Sequence, residues 1–250
     1  MSSNHEFIYR RNAVREGLRS RGRKIFKFWI QKGLPKKEAA PFLQMARQRK
    51  IRIQETDKQT LGNLAKDRGH QGVVLEVSPF RYAEVDDMLA LADERKEPPL
   101  LLVLDLVQGP QNVGMLVRSA EAVGVHGIIM QDRRAPDITP AMVIASAGAT
   151  EHLPIAKVTN LNQTLNRLKD AGVWIVGTAM DKTAQTLGEV DLNRPIALVI
   201  GHEGSGLRQQ VRHNCDLLIT LPMKGHVESL NAAVSGSILL YAAWQARGFA

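Results

Sequence analysis

Three stretches of this 250-residue chain place polar or glycine-rich residues where apolar runs give way to loops, the position at which open α/β sheets bind ligands. The first, Asp105-Leu-Val-Gln-Gly-Pro-Gln-Asn-Val-Gly-Met-Leu-Val-Arg-Ser, contains Asn112 and Arg118. A guanidinium inside an apolar helical stretch costs desolvation, so Arg118 calls for an anion, either a ligand or a core carboxylate such as Glu121 or Asp105. Asn112 either shares that ligand or caps the helix. The second stretch is Gly201-His202-Glu203-Gly204-Ser205-Gly206. Its three glycines let a ligand approach backbone, and N–H groups at a helix start would meet a polar or anionic group; a tight turn is the plainer use of the same glycines. The order G-x-x-G-x-G matches neither nucleotide fingerprint. The third stretch, Leu221 to Ser237, holds Ser229, a natural N-cap, and a small-residue face of Ala232, Ala233, Ser235 and Gly236 suited to close packing within the chain or between chains. Met115, Met142 and Met180 read as core fillers. His202 with His213 and Cys215 lacks metal-ligand spacing, and neither a G-x-S-x-G elbow nor paired Cys-x-x-Cys units occur, so no metal and no serine-hydrolase chemistry is expected.

A sheet must position these loops. Apolar strands are expected at 100–104, 127–130, 173–177, 196–200 and 217–221, and runs apolar on both faces belong in a buried parallel sheet. Helices are expected at 113–123, 140–147, 161–171, 207–213 and 229–247; Thr139-Pro140 supplies an N-cap and an N1 proline for the second. Upstream, Lys96-Glu97-Pro98-Pro99 ends a helix and stiffens a linker, which places a domain boundary between 1–96 and 97–250. Before it the pattern alternates: helix 12–19, strand 25–30, helix 37–49, strand 51–54, helix 59–66, strand 73–77 and helix 83–95, a small α/β domain.

Composition is globular, 44% hydrophobic and 23% charged, and the longest apolar runs are strand-sized, so no membrane span is expected. The opening segment has no apolar h-region and Cys215 stands alone, which fits a reducing cytoplasm. Net charge is +8, unevenly spread: residues 1–50 carry fourteen Lys/Arg against three Asp/Glu. A basic block containing Phe26, Phe28 and Trp29 suits a nucleic-acid partner through counterion release; the alternatives are a solubilising face or a mitochondrial presequence, the last opposed by the strand-like Lys24 to Ile30.

Taken in order, the three stretches resemble the signature motifs of the SpoU/TrmH branch of the SPOUT RNA methyltransferases, over Leu101 to Ala246. Asn12-Ala13-Val14 and Gly72-Val73-Val74 resemble that family's L30e-like substrate-binding domain, and over the whole chain the likeness is to the 23S rRNA guanosine 2′-O-methyltransferases. The resemblance implies an α/β fold with a parallel sheet tied in a deep trefoil knot, a homodimer with its site completed across the interface, and S-adenosylmethionine held by Gly201, His202, Glu203 and Gly204, by Ile219 and Leu221, by Leu230, and by Thr178 and Ala179. It assigns the polar site to Asn112, Arg118, Glu203, Ser229 and Asn231, with Asn112 and Glu203 orienting Arg118. Since a guanidinium stays protonated, Arg118 would clamp the target phosphate and hydroxyl rather than act as a base. In the basic domain Arg23, Lys24 and Lys27, near Phe28 and Trp29, would meet the RNA. Two departures stand out: Gly109 where an Asp is usual, and Arg10-Arg11 in place of a glycine. A tRNA enzyme of the same family, or a non-catalytic RNA-binding protein, are the competing expectations.

Overall fold

The computed structural model describes residues 5–133, 135–180, 183–226 and 229–249, and divides into two compact units. The first comprises Met1–Arg81 together with Ile138–His152. Its elements are β1 Glu6–Tyr9, α1 Arg11–Arg19, β2 Ile25–Gln31, α2 Lys36–Gln48, β3 Ile53–Thr56, α3 Lys58–Ala65 and β4 Val73–Val77. The strand order is β1-β4-β2-β3, with β4 antiparallel to both neighbours and β2 parallel to β3. The two-residue period of β2 buries Phe28 and Ile30 on one face, where Phe28 meets Phe42 of α2. On the other face Tyr9 and Val74 pack with Leu61 and Ala65 of α3.

The expected boundary at 96 is corrected on both sides. The helix α4 (Val85–Arg95) buries Val85, Met88 and Ala92, and Met88 lies in the core of the second unit with Leu101, Val103 and Ile129. A Cβ at Gly127 would fall 2.2 Å from the Met88 sulfur, so the two backbones approach too closely for a side chain there. In the other direction, residues 138–152, which sit between two strands of the second sheet, fold into the first unit. They carry α6 (Pro140–Ala145) and a 3-10 turn at Ala149–Glu151. Ile144 packs beside Tyr9 and Trp29, and Gly148 adopts φ 95° with its backbone against Glu16 and Ala13. The double proline correctly ends a helix, but punctuation says nothing about which core that helix docks on.

Glu151 of this segment explains a second correction. Arg23, expected at the RNA, is buried: its side chain is 4% exposed and lies between Glu6 and Glu151, with Nε donating to the Ser78 carbonyl at 2.8 Å and Nη1 to Glu151 at 3.3 Å. Burial pushes the Glu151 carboxyl above its ordinary range and the Arg23 charge pulls it back. Removing the cation leaves a buried carboxylate uncompensated. Arg23→Ala should therefore lower stability by about 3–5 kcal/mol in urea unfolding; wild-type stability with weakened RNA binding would return Arg23 to the RNA surface.

The second unit, Tyr82–Asp137 with Leu153–Ala250, holds α4, β5 Leu100–Leu104, α5 Pro110–Ala122, β6 Gly127–Gln131, β7 Ile155–Val158, α7 Leu161–Asp170, β8 Trp174–Thr178, β9 Gln185–Thr186, β10 Ile196–Ile200, α8 Gln209–His213, β11 Leu217–Thr220 and α9 Ala232–Ala246. Among the described residues the strand order is β7-β6-β5-β10-β8-β11-β9, with every pairing parallel. The central β5 and β10 are buried at all five positions, which is why they read as unbroken apolar runs. Short strands β1, β7 and β9 escaped the sequence reading. They are two to four residues long, too few for a period-2 signal. Among the described residues no helix is long and apolar enough to cross a membrane.

Candidate active site

The C-terminal ends of β5, β10, β8 and β11 open side by side, and the three motif loops leave the sheet there. Beyond β5, the buried Asp105 accepts hydrogen bonds from the Arg208 backbone N–H at 2.8 Å and from its Nε at 2.7 Å. This pair ties the end of the second motif loop to the start of the first. It also removes Asp105 as a partner for Arg118. Pro110 then opens α5 at N1, placing Asn112 in the helix's first turn.

After β10 the chain doubles back at once. His202 and Gly206 exchange backbone hydrogen bonds of 3.0 and 2.8 Å, and a Cβ on Gly201 would lie 2.4 Å from the Gly206 carbonyl carbon. Only glycine permits that approach. The His202 ring turns inward: Nδ1 accepts the backbone N–H of Gly204 at 3.1 Å and of Ser205 at 3.3 Å.

After β11, Asn231 is the N-cap of α9, its Oδ1 accepting from Ala233 at 2.9 Å and Val234 at 3.3 Å. This corrects the expectation that Ser229 caps the helix. Ser229 is exposed and two residues upstream, while Val227 and Glu228 of the same motif lie outside the described residues. Capping fixes the rotamer of Asn231, so its Nδ2 must point away from the helix. It donates to Asn112 Oδ1 at 3.1 Å and to Glu203 Oε1 at 3.0 Å, and Asn112 Nδ2 donates to Glu203 Oε2 at 3.2 Å. One residue from each motif thus closes a triangle whose donor directions are all set by the end of α9.

Beside the triangle lies a cavity of about 730 Å³, a volume that suits a nucleoside-sized ligand. Thr178, Ala179, Gly201, His202, Glu203, Gly204, Ile219, Leu221 and Leu230, the nine residues assigned to the methyl donor from the resemblance, all line it, as does Ser229. Thr178 and Ala179 are held by bonds from Thr178 Oγ1 to the Val199 carbonyl at 3.2 Å and from the Ala179 N–H to the Ile219 carbonyl at 3.0 Å. Sequence reasoning missed Ser205, Arg212, Thr220, Met223 and Ser235 in the lining. Ser235, one turn beyond Asn231 on α9, was legible from helical spacing. Cys215, packed on Gly177, has its thiol pushed up to about 12 by burial and is no nucleophile.

Arg118 does not join the triangle. It is exposed on α5 and, among the described residues, makes no hydrogen bond or ion pair. The expected orientation by Asn112 and Glu203 is therefore absent within one chain, as is the core carboxylate. Two methionines expected in the core are also exposed, Met115 at 43% and Met180 at 65%, the latter on the cavity wall, while Met142 is buried. The small face of α9 is used inside the chain: a Cβ on Gly236 would fall 2.4 Å from Leu116 of α5. What α9 leaves exposed is a stripe of Val234, Ile238 and Tyr241. Lys24 is exposed with its ammonium 5.2 Å from the Phe26 ring, and Lys27 lies 4.3 Å from the Trp29 ring, but Phe28 is core.

Comparison with known proteins gives this arrangement a class. Residues 99–241 match the family model described as the SpoU rRNA Methylase family, and residues 7–83 match that described as RNA 2′-O ribose methyltransferase substrate binding. The chain belongs to the SpoU rRNA methylase family, a class of RNA methyltransferases. It is 42% identical over 248 residues, 99% of this chain and 98% of the relative, to YacO of Bacillus subtilis, whose name places it among TrmH family tRNA/rRNA methyltransferases. In fold it is similar to the SpoU methyltransferase AviRb from Streptomyces viridochromogenes, solved in complex with AdoMet (TM-score 0.80, 23% identity, 99% of this chain and 92% of that one). It is likewise similar to an AdoMet-bound rRNA methyltransferase from Sinorhizobium meliloti (TM-score 0.77, 23% identity, 97% and 88%).

Proposed function

We propose that this protein transfers a methyl group from S-adenosylmethionine to the ribose 2′-hydroxyl of a guanosine in 23S rRNA, acting as a homodimer in the cytoplasm. The observation that carries the reading is the Asn112–Glu203–Asn231 triangle at a cavity lined by all nine residues assigned to the methyl donor. The cavity fits that donor in size and chemistry, since its walls offer loop backbone and its one described carboxylate, Glu203, suits a cationic sulfonium. Bound there, S-adenosylmethionine supplies an electrophilic methyl. Transfer forms the O–C bond as the C–S bond breaks, and the hydroxyl proton must leave.

The residues of this chain supply alignment and charge. Since a guanidinium serves as a cationic donor and not as a base, Arg118 holds the target phosphate and 2′-oxygen, and the proton passes to a phosphate oxygen or water. Glu203, Asn112 and Asn231 form a rigid polar edge, with Ser229 beside it. The exposed Met115, Val234, Ile238 and Tyr241 on α5 and α9 form the surface a second copy covers, and that packing carries Arg118 into the partner's site. The trefoil knot belongs with the same reading, supported by α9 returning to pack on α5 and β10. Lys24 and Lys27 serve the RNA backbone.

The name of the Bacillus relative covers tRNA as well as rRNA, which favours a tRNA substrate as the second reading. Incubation with labelled S-adenosylmethionine, 23S rRNA from cells lacking the enzyme, and tRNA separates them. A 2′-O-methylguanosine mapped in 23S rRNA is expected. Label confined to tRNA moves the substrate, and failure to bind S-adenosylmethionine overturns the proposal in favour of a non-catalytic RNA-binding role.

A further inference from the structure

The 201–206 loop has three glycines, so its unbound ensemble is wide and folding it back costs entropy that something local must offset. Backbone bonds between His202 and Gly206 close the loop's ends but leave its apex, Gly204 and Ser205, with two N–H groups turned inward. Both end on one atom, Nδ1 of His202. A neutral imidazole accepting at Nδ1 carries its proton on Nε2, so its tautomer is set by the loop. Nδ1 lies two bonds beyond Cβ, the same reach as Oδ1 of an asparagine in an Asx-turn. The ring therefore does in this loop what a short amide does elsewhere. Glu203, the residue between the acceptor and the apex, is thereby presented to Asn112 and Asn231.

We propose that His202 is a positioning residue: its Nδ1 holds the loop in the folded-back form that carries Glu203 into the triangle and builds one wall of the cavity. His202 stays in the cavity lining, and its ring acts there through the loop. The inference rests on the cavity being the S-adenosylmethionine site.

The test uses the full-length protein and S-adenosylmethionine as the probe, with calorimetric affinity for the wild type, His202→Phe, His202→Asn and His202→Gln. Phe keeps an aromatic ring without an acceptor, Asn keeps the acceptor without the ring, and Gln moves the acceptor one bond too far. His202→Phe and His202→Gln are expected to weaken affinity about ten-fold, and His202→Asn to rescue it to within about two-fold of wild type. In ¹⁵N spectra the wild-type His202 should show an unprotonated Nδ1 and a protonated Nε2. Wild-type affinity in His202→Phe overturns the proposal, as does an Asn variant as weak as Phe, which would make the ring itself the contact. Should His202→Phe fail to fold, the Asn and Gln pair decides on its own. If the wild type binds no S-adenosylmethionine, the functional reading fails, and the tautomer still decides the loop assignment, an Nδ1-protonated ring overturning it.

Discussion

Arg118→Ala should lower methyl transfer about 10³-fold, the scale on which removal of a charge-stabilising group acts on a transition state, while S-adenosylmethionine affinity stays within about two-fold and the melting temperature barely moves. The separation follows from where the residue sits. Arg118 is exposed, lies outside the cavity lining, and has no partner among the described residues, so neither the fold nor the donor site depends on it. In the proposed function its work is done on the RNA, across a dimer. That makes a sharper experiment available. If each site takes its triangle from one protomer and Arg118 from the other, mixing Arg118→Ala with Asn231→Asp chains creates dimers in which one site has both native residues. Activity in the mixture should rise well above that of either variant alone. A mixture as inactive as its components would place Arg118 in its own chain's site, and loss of donor affinity in Arg118→Ala would refute the assigned role altogether.

Asn231→Asp isolates the triangle from the helix it caps. Aspartate accepts the Ala233 and Val234 N–H groups as well as asparagine does, and a negative charge at a helix N-terminus is favourable. Stability should change little. The other end of the side chain is another matter: Nδ2 donates to both Asn112 and Glu203, and a carboxylate there loses two donors and faces the Glu203 carboxylate where the present separation is 3.0 Å. Glu203 and Asn112 must then rearrange. A displacement of about 1 Å in groups that align a reaction costs about 10²-fold, which is the loss expected in single-turnover transfer. Thermal unfolding monitored on the same samples checks the first half of the claim. Undiminished transfer in Asn231→Asp would remove the triangle from the mechanism.

How far the sequence reaches can be judged from these same residues. Asn112, Glu203 and Asn231 were each identified through their motifs, but their mutual geometry was inverted: the two polar residues were expected to orient Arg118 and instead orient one another. Ser229 was given the cap because serine at a strand-to-helix junction is a good N-cap by type, yet Asn231 is also one, and the helix begins at Ala232, three residues later than the expected start at 229. Arg23 looked like its neighbours Lys24 and Lys27 in a basic run. What separates it is Glu151, 128 residues away, which no local pattern connects to it. A truncation at residue 96, natural on the sequence boundary, would remove Met88 from the second unit's core and strand 138–152 without the surface it packs on.

The sequence by itself determined the element types, the parallel sheet and the three loops at its C-terminal edge, which depend on short-range quantities: apolar periodicity, glycine and proline conformational limits, and motif spacing of a few residues. The nine residues that line the cavity came instead from the chain's resemblance to its family. Tertiary structure alone decided which core α4 joins, that residues 138–152 complete the first unit, that Arg23 is buried and Arg118 is not, and that an α9 cap closes a triangle with residues 119 and 28 positions away. The reason is physical. A side chain's type sets what it can bond with and whether burying it is costly, but the identity of its partner is fixed only when distant segments pack, because that is when water leaves and the remaining donors and acceptors must find one another.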